Sequence, residues 1–411
     1  MFLYAVSLIK FFDRDPLSIH VGPQGPIELV VLIVVALTLL RVVNQGRWEL
    51  IVTPSAKAFL AFGAIAVVSS VFSFYPLLSL AKGMSFILVC GIAILASTVF
   101  GSSQVIRYLY YSIIIILAIE LVVKLAGGGP LLDIDDYSGR ARLSLFGVHP
   151  TLLGELSAVT LLSGLWLPKR PPLYYQGFLF GMTIASGSRT SISLLVVILL
   201  VIWLPSAQRN KRFVSLCCCM GCSLAFVLLV GSQMSYGPSA DVASISRPLY
   251  GDTLATDLQS LNGRTDVWDA AAPVVAHSIF LGYGLGGARD VLVNNSSWDW
   301  VAGDAHNALI DLILGGGFPA LLIFVLGWTG AVRRAWRSRG PMRIRALAIY
   351  AYIAGFGIVA PNLTNLQGLS TFLIITVDAM VCAELALSRA RSLERKRASF
   401  AEAFLENPAG T

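Results

Sequence analysis

Three arginines and two histidines stand beside or within apolar sequence, where a charged or basic group needs a reason to be. Arg189 follows Ser186-Gly187-Ser188 at the break between two short apolar runs, Arg264 follows Asn262-Gly263, and Arg142 precedes the apolar entry at 143–150. An unpaired guanidinium is costly there, and its planar fork of donors suits phosphate oxygens at any relevant pH. The plainer alternative is that each arginine anchors a helix end at lipid headgroups. His306, between Asp304-Ala305 and Asn307, has Asp311 about one helical turn further on. A histidine with an ordinary pKa near 6.5 can stay neutral and take or orient a hydroxyl proton; its plainer role is to cap the helix that follows. His149, ahead of Pro150 and about two turns above Glu155, repeats the idea more weakly.

Other chemistry-like patterns carry less. Gly282-Tyr283-Gly284-Leu285-Gly286-Gly287 has a dinucleotide-like spacing but follows no strand and opens no βαβ unit, so it is expected to be a tight reversal that lets backbone approach a ligand or a helix end. Asp133, Asp135 and Asp136 could hold a divalent cation, although a solvated acidic loop is the simpler reading. The cysteines at 217–219 and 222 lie inside an apolar run and read as helix packing, so no metal site is expected. Glu120, Glu155, Asp311, Asp378 and Lys82 fall inside apolar runs, which makes the carboxylates functional candidates by default.

The elements that must position these residues are membrane helices. Of the residues, 56% are hydrophobic and only 13% charged, with a mean hydropathy of +0.75. That is far from the roughly 25% charged of a soluble domain. The apolar runs approach the ~20 residues needed to cross hydrocarbon as a helix, and lipid gives unpaired backbone no partner, so an all-α polytopic bundle is expected. Spans are placed at 26–43, 57–74, 77–100, 105–126, 151–167, 173–185, 190–204, 213–233, 307–332, 346–360 and 366–387. Residues 2–12 are a further possible span. The two runs flanking Gly187 are short enough to be half-spans.

The formal net charge of +7 is spread over alternate loops, which is a topology signal and not a nucleic-acid footprint. Basic residues gather at 41–57, at Arg107, at 169–170, at 209–212, at 333–345 and in the tail, so those loops are read as cytoplasmic and the others as external. The chain then divides into an N-terminal bundle (1–233), a large external loop (234–306), C-terminal helices (307–388) and a basic tail (389–411). The large loop is expected to form a small cap with a helix across 264–276, since connections this long tend to be functional. No cleaved leader is read at the start, because Met1 to Phe12 lacks early positive charge.

The order of these motifs resembles the O-antigen ligase and polymerase superfamily. It runs Ser186-Gly187-Ser188-Arg189-Thr190, Gly263-Arg264 with Trp268, Phe280-Leu281-Gly282-Tyr283-Gly284, Ala305-His306-Asn307, then Gly315-Gly316-Gly317-Phe318-Pro319. The likeness covers about 145–326; the earlier spans match only as generic helices. It implies a GT-C-like, metal-independent glycosyltransferase with no cofactor, in the bacterial inner membrane, working on its periplasmic side. The donor would be an undecaprenyl-pyrophosphate-linked oligosaccharide and the acceptor another glycan or lipid A-core, with a flippase and a chain-length regulator as possible partners besides membrane lipids. The family's functional residues map onto Arg189, Arg264 and His306, with Arg142, His149, Ser188 and Asn307 as candidate substrate contacts. The Ser-rich break and the surroundings of His306 favour polymerisation of O-antigen or exopolysaccharide repeats over ligation. A transporter without chemistry would instead use Glu120, Glu155 and Asp378 in one midplane site.

Overall fold

A computed structural model describes residues 24–46, 50–127, 132–135, 140–143, 145, 150–203, 264–287, 291–292, 305, 307–358, 360 and 368–406. The expected span at 213–233, together with His149 and His306, lies outside the described residues, as do the surroundings of the Arg142 and Arg264 side chains.

The described chain is helical apart from one strand pair. Helices α1 (Gln24–Gly46), α2 (Pro54–Ser69), α3 (Pro76–Phe100) and α4 (Ser102–Leu125) come first. The strands β1 (Leu132–Asp135) and β2 (Arg140–Leu143) follow, then α5 (Pro150–Ser163), α6 (Leu173–Ala185) and α7 (Arg189–Trp203). After the large loop begins α8 (Arg264–His277), followed by α9 (Ala308–Arg337), α10 (Gly340–Gly357) and α11 (Leu369–Glu406). Each expected span among the described residues coincides with a helix. Among the described residues five stretches are long and apolar enough to cross a membrane: Pro54–Phe72, Pro76–Phe100, Ser102–Leu125, Ala308–Arg337 and Leu369–Ser399. The protein is thus a multi-pass membrane protein. By contrast, α6 has 13 residues and α7 has 15. At 1.5 Å per residue α6 reaches about 20 Å of a ~30 Å hydrocarbon layer, while α7 is described as far as Trp203.

Helix starts follow local chemistry. Thr53 accepts the Ala56 N–H at 3.2 Å ahead of Pro54, and Pro76 opens α3 where its missing N–H costs nothing. Among the described residues the core joins the helices of the bundle through α2, α3, α9 and α11. Its centre is aromatic, with Phe59 and Phe324 ring centroids 4.8 Å apart, Phe62 and Phe86 also 4.8 Å, and Phe62 and Phe324 5.5 Å. Large apolar side chains such as Leu37, Val71, Val122 and Leu326 point outward, as lipid-facing residues must.

Two ends of the bundle emerge from the contacts. At one, Ile51 N–H donates to Thr98 Oγ1 at 3.1 Å, and Ser55 and Arg334 both meet Asp378. Arg345, just before the membrane part of α10, has its pKa lowered by burial and then by the like charge of Arg170. These are the loops the charge pattern groups as basic. At the other end the turn after α2 and the start of α3 meet the segment after α8, and the break before α7 meets α5.

Three expectations need amending. Of the acidic stretch, Asp133 and Asp135 lie not in a loop but in a strand: β1 and β2 pair antiparallel, with Asp133 opposite Arg142 and Asp135 opposite Arg140, a favourable register for opposite charges. The basic connector at 333–345 is mostly helix, because α9 runs through Arg337 and α10 starts at Gly340. Arg334 is no loop residue, since its Nε and Nη2 each donate at 2.7 Å to the two oxygens of Asp378, a carboxylate with no exposure.

Candidate active site

Arg189, Arg264 and Asn307 stand at the starts of α7, α8 and α9. Gly187, with φ +63°, turns the chain between α6 and α7. The buried Ser188 hydroxyl accepts the Ser191 N–H at 3.4 Å and lies 2.8 Å from the Ser191 hydroxyl, while Ser188 N–H donates to Ser186 Oγ at 3.3 Å. The serines thus satisfy the first turn of α7 and leave Arg189, its first residue, exposed. Gly154 of α5 lets this turn approach: a Cβ there would fall 2.7 Å from Ser186 Oγ and from Ser188 Cβ. Beside it, the buried Glu155 accepts the Ser370 hydroxyl of α11 at 2.8 Å.

Arg264 is the first residue of α8, whose Trp268 indole N–H donates to the Ala305 carbonyl at 3.0 Å. Ala305 N–H in turn donates to Asp311 Oδ1 at 3.0 Å. Asn307 caps α9, its side-chain oxygen accepting Leu309 N–H at 2.9 Å and Ile310 N–H at 3.3 Å. The two neighbours of His306 are therefore in place although His306 itself is outside the described residues. The side chains of Ser188 and Asn307 are occupied in shaping helix starts.

Helix α9 is broken at Gly317, where φ is +72° and ψ −178°, just before Pro319. The glycine-rich reversal after α8 fills the break. Tyr283 N–H donates to the Leu314 carbonyl at 2.6 Å, and Phe318 N–H to the Ile279 carbonyl at 2.6 Å. The same reversal binds the first two turns of α3, through Gly286 N–H to Ser79 Oγ at 2.9 Å and Lys82 Nζ to the Leu285 carbonyl at 3.0 Å. Lys82 thus serves as a tether. The dinucleotide-like glycines do what only glycine allows, bringing two backbones into contact.

The intramembrane carboxylates have separate partners: Asp378 is held by Arg334 and Ser55, Glu155 by Ser370, and Asp311 by Ala305. Glu155 and Asp378 do not share a partner among these bonds. The residues the sequence left unranked are Ser370, Gly154 and Ala305, and only Gly154, a small residue one position before an intramembrane carboxylate, had any visible signal.

Residues 177–325 match the family described as O-antigen ligase, just over a third of the chain. The match places this region in the O-antigen ligase superfamily. It takes in Arg189, Arg264, the position of His306 and the Gly317 break. An O-antigen ligase of Pseudomonas aeruginosa strain PAO1 is 24% identical over 180 residues, a stretch that covers 42% of this chain and 38% of that protein. The family region thus begins within α6 and ends within α9, enclosing both arginine-led helices and leaving α1 to α5 outside it.

Proposed function

We propose that the chain is a membrane glycosyltransferase that moves a glycan from an undecaprenyl-pyrophosphate carrier to an acceptor hydroxyl on the periplasmic side of the inner membrane. The observation that carries the reading is that two helices of the family region, α7 and α8, begin with an arginine. A cation at a helix N-terminus works against the macrodipole, so neither arginine helps its own helix. An anion bound there reverses the sign, because dipole and guanidinium then attract it together.

In this reading Arg189 and Arg264 hold the pyrophosphate while the acceptor oxygen attacks the anomeric carbon. The bond from that carbon to the phosphate oxygen breaks, the lipid pyrophosphate leaves with its charge on the arginines, and the acceptor proton passes to His306. Arg142 and His149 are proposed to contact the sugars. Extension of O-antigen or exopolysaccharide repeats is the favoured outcome; ligation to lipid A-core is the second reading, favoured by the name of the Pseudomonas aeruginosa relative.

A polysaccharide gel from a strain lacking this chain tests both. Single repeats without long chains support polymerisation, lipid-linked long chains that never reach lipid A support ligation, and an unchanged pattern removes the proposal. A structure placing the Arg189 and Arg264 guanidinium groups more than about 15 Å apart would remove their shared role, since two forks bind one pyrophosphate only at hydrogen-bond range.

A further inference from the structure

Beyond its break, α9 presents one exposed face whose chemistry changes along the helix. Leu322, Leu326 and Thr329 stand outward at spacings of four and three residues, a single helical stripe. Thr329 turns its hydroxyl back onto the Val325 carbonyl at 2.8 Å, as a face in hydrocarbon requires. The same stripe continues through Arg333 to Trp336 and Arg337, all exposed. Trp336 lies about 15 Å along the axis from Leu326, so the change from apolar to basic falls where a span passes from hydrocarbon to headgroups.

The start of α10 completes a corner there. Arg343 lays its guanidinium over the Trp336 ring, 4.3 Å from the centroid, while Trp336 stays 60% exposed and Ile344 43%. Arg339, between the two helices, is exposed as well. Close by, Arg345 feels the like charge of Arg170 from the turn after α5, which after burial is the second cause of its lowered pKa.

The stretches that carry these cations hold no counter-charge of their own. No Asp or Glu occurs from Leu156 to Trp203 or from Leu312 to Val377, and Asp378 of α11 is already held by Arg334 and Ser55. An occupant that suits the whole face is apolar against Leu322 and Leu326 and anionic against Arg333, Arg337 and Arg343. A phospholipid with a negative headgroup is both, whereas an acidic soluble protein meets only the second demand.

We propose that the corner between α9 and α10 is a binding surface for anionic glycerophospholipid, with the acyl chains along Leu322 and Leu326 and the phosphate among Arg333, Arg337, Arg339 and Arg343. Trp336, flat under Arg343, sits at the junction of chain and headgroup. This surface is independent of the glycosyl-transfer reading.

The test uses the full-length protein in phosphatidylcholine bilayers, to which phosphatidylglycerol or phosphatidylcholine with brominated chains is added at equal mole fraction. Bromine quenches nearby indoles, and subtracting the signal of Trp336→Phe, which keeps a ring under Arg343, isolates Trp336 from the other tryptophans. Brominated phosphatidylglycerol is expected to quench Trp336 at least about twofold more than brominated phosphatidylcholine, since each cation near an anionic surface raises partitioning about fivefold. The double variant Arg337→Gln/Arg339→Gln changes only exposed side chains and should bring that ratio close to one. Salt at about 1 M, where the Debye length falls to about 3 Å, should do the same to the parent. A parent ratio close to one, the result an acidic soluble partner would give, overturns the proposal. So does an excess that survives the double variant, because the preference would then owe nothing to these charges.

Discussion

Gly282→Ala tests whether the reversal docked in the α9 break is needed for function. Gly282 has φ +66°, which costs an L-residue about 1–2 kcal/mol. An added Cβ would lie 2.7 Å from both the Leu314 carbonyl oxygen and Gly317 N, where ordinary contact begins at 3.4 Å. Backbone has no rotamer to escape into, so the two chains must separate by about 0.7 Å. That separation strains the Tyr283 to Leu314 and Ile279 to Phe318 hydrogen bonds, both 2.6 Å and each worth about 1 kcal/mol net. The combined local cost is about 3–4 kcal/mol, enough to undock the segment. Of this segment only Leu285 belongs to the main core, so the bundle should persist. The variant is expected to accumulate in membranes near wild-type level, expose the 278–287 segment to protease, and lose on the order of a hundredfold in polymer output. Gly91→Ala, where nothing lies within 4 Å of the added Cβ, is the control and should be neutral. Wild-type output from Gly282→Ala, or a loss no larger than that of Gly91→Ala, would refute the coupling between docked loop and activity.

Three further outcomes are expected. Arg334→Met, which strands the unexposed Asp378, should lower thermal stability in detergent by about 3–5 kcal/mol, and more than Asp378→Leu, because Arg334 is 19% exposed and can turn to water; the double variant should recover most of the loss, and equal single losses or no recovery would contradict the pair. His306→Asn should insert and accumulate normally, since the cap of α9 is Asn307 and is left in place, while polymer output falls about 100 to 10,000-fold; wild-type output would remove His306 from the mechanism. Cysteine placed at Phe280 should react with an impermeant reagent in intact cells and cysteine placed at Arg339 should not, and labelling of both from one side would sink the alternation of loops.

Much of this architecture is legible in one dimension because lipid is a severe solvent. A run such as 77–100 can satisfy its backbone only as a helix, so its length and apolarity decide its structure, and α3 follows at Pro76–Phe100. The break at Gly187, the α8 helix and the order of the arginine, glycine and histidine motifs are local features too, and they suffice to select the superfamily. What a carboxylate does inside such a bundle is not local. Asp378 read as a candidate for function until its partner Arg334, forty-four residues away, made it half of an ion pair. The glycine-rich reversal had no stated ligand until α9 broke at Gly317 and received it. Ala305 carries no chemical signal at all, because its role lies in two backbone atoms that only folding brings to Trp268 and Asp311. Hydropathy and charge act along the chain and are written in it; pairing and docking depend on which distant groups share a small volume, and only tertiary structure decides that.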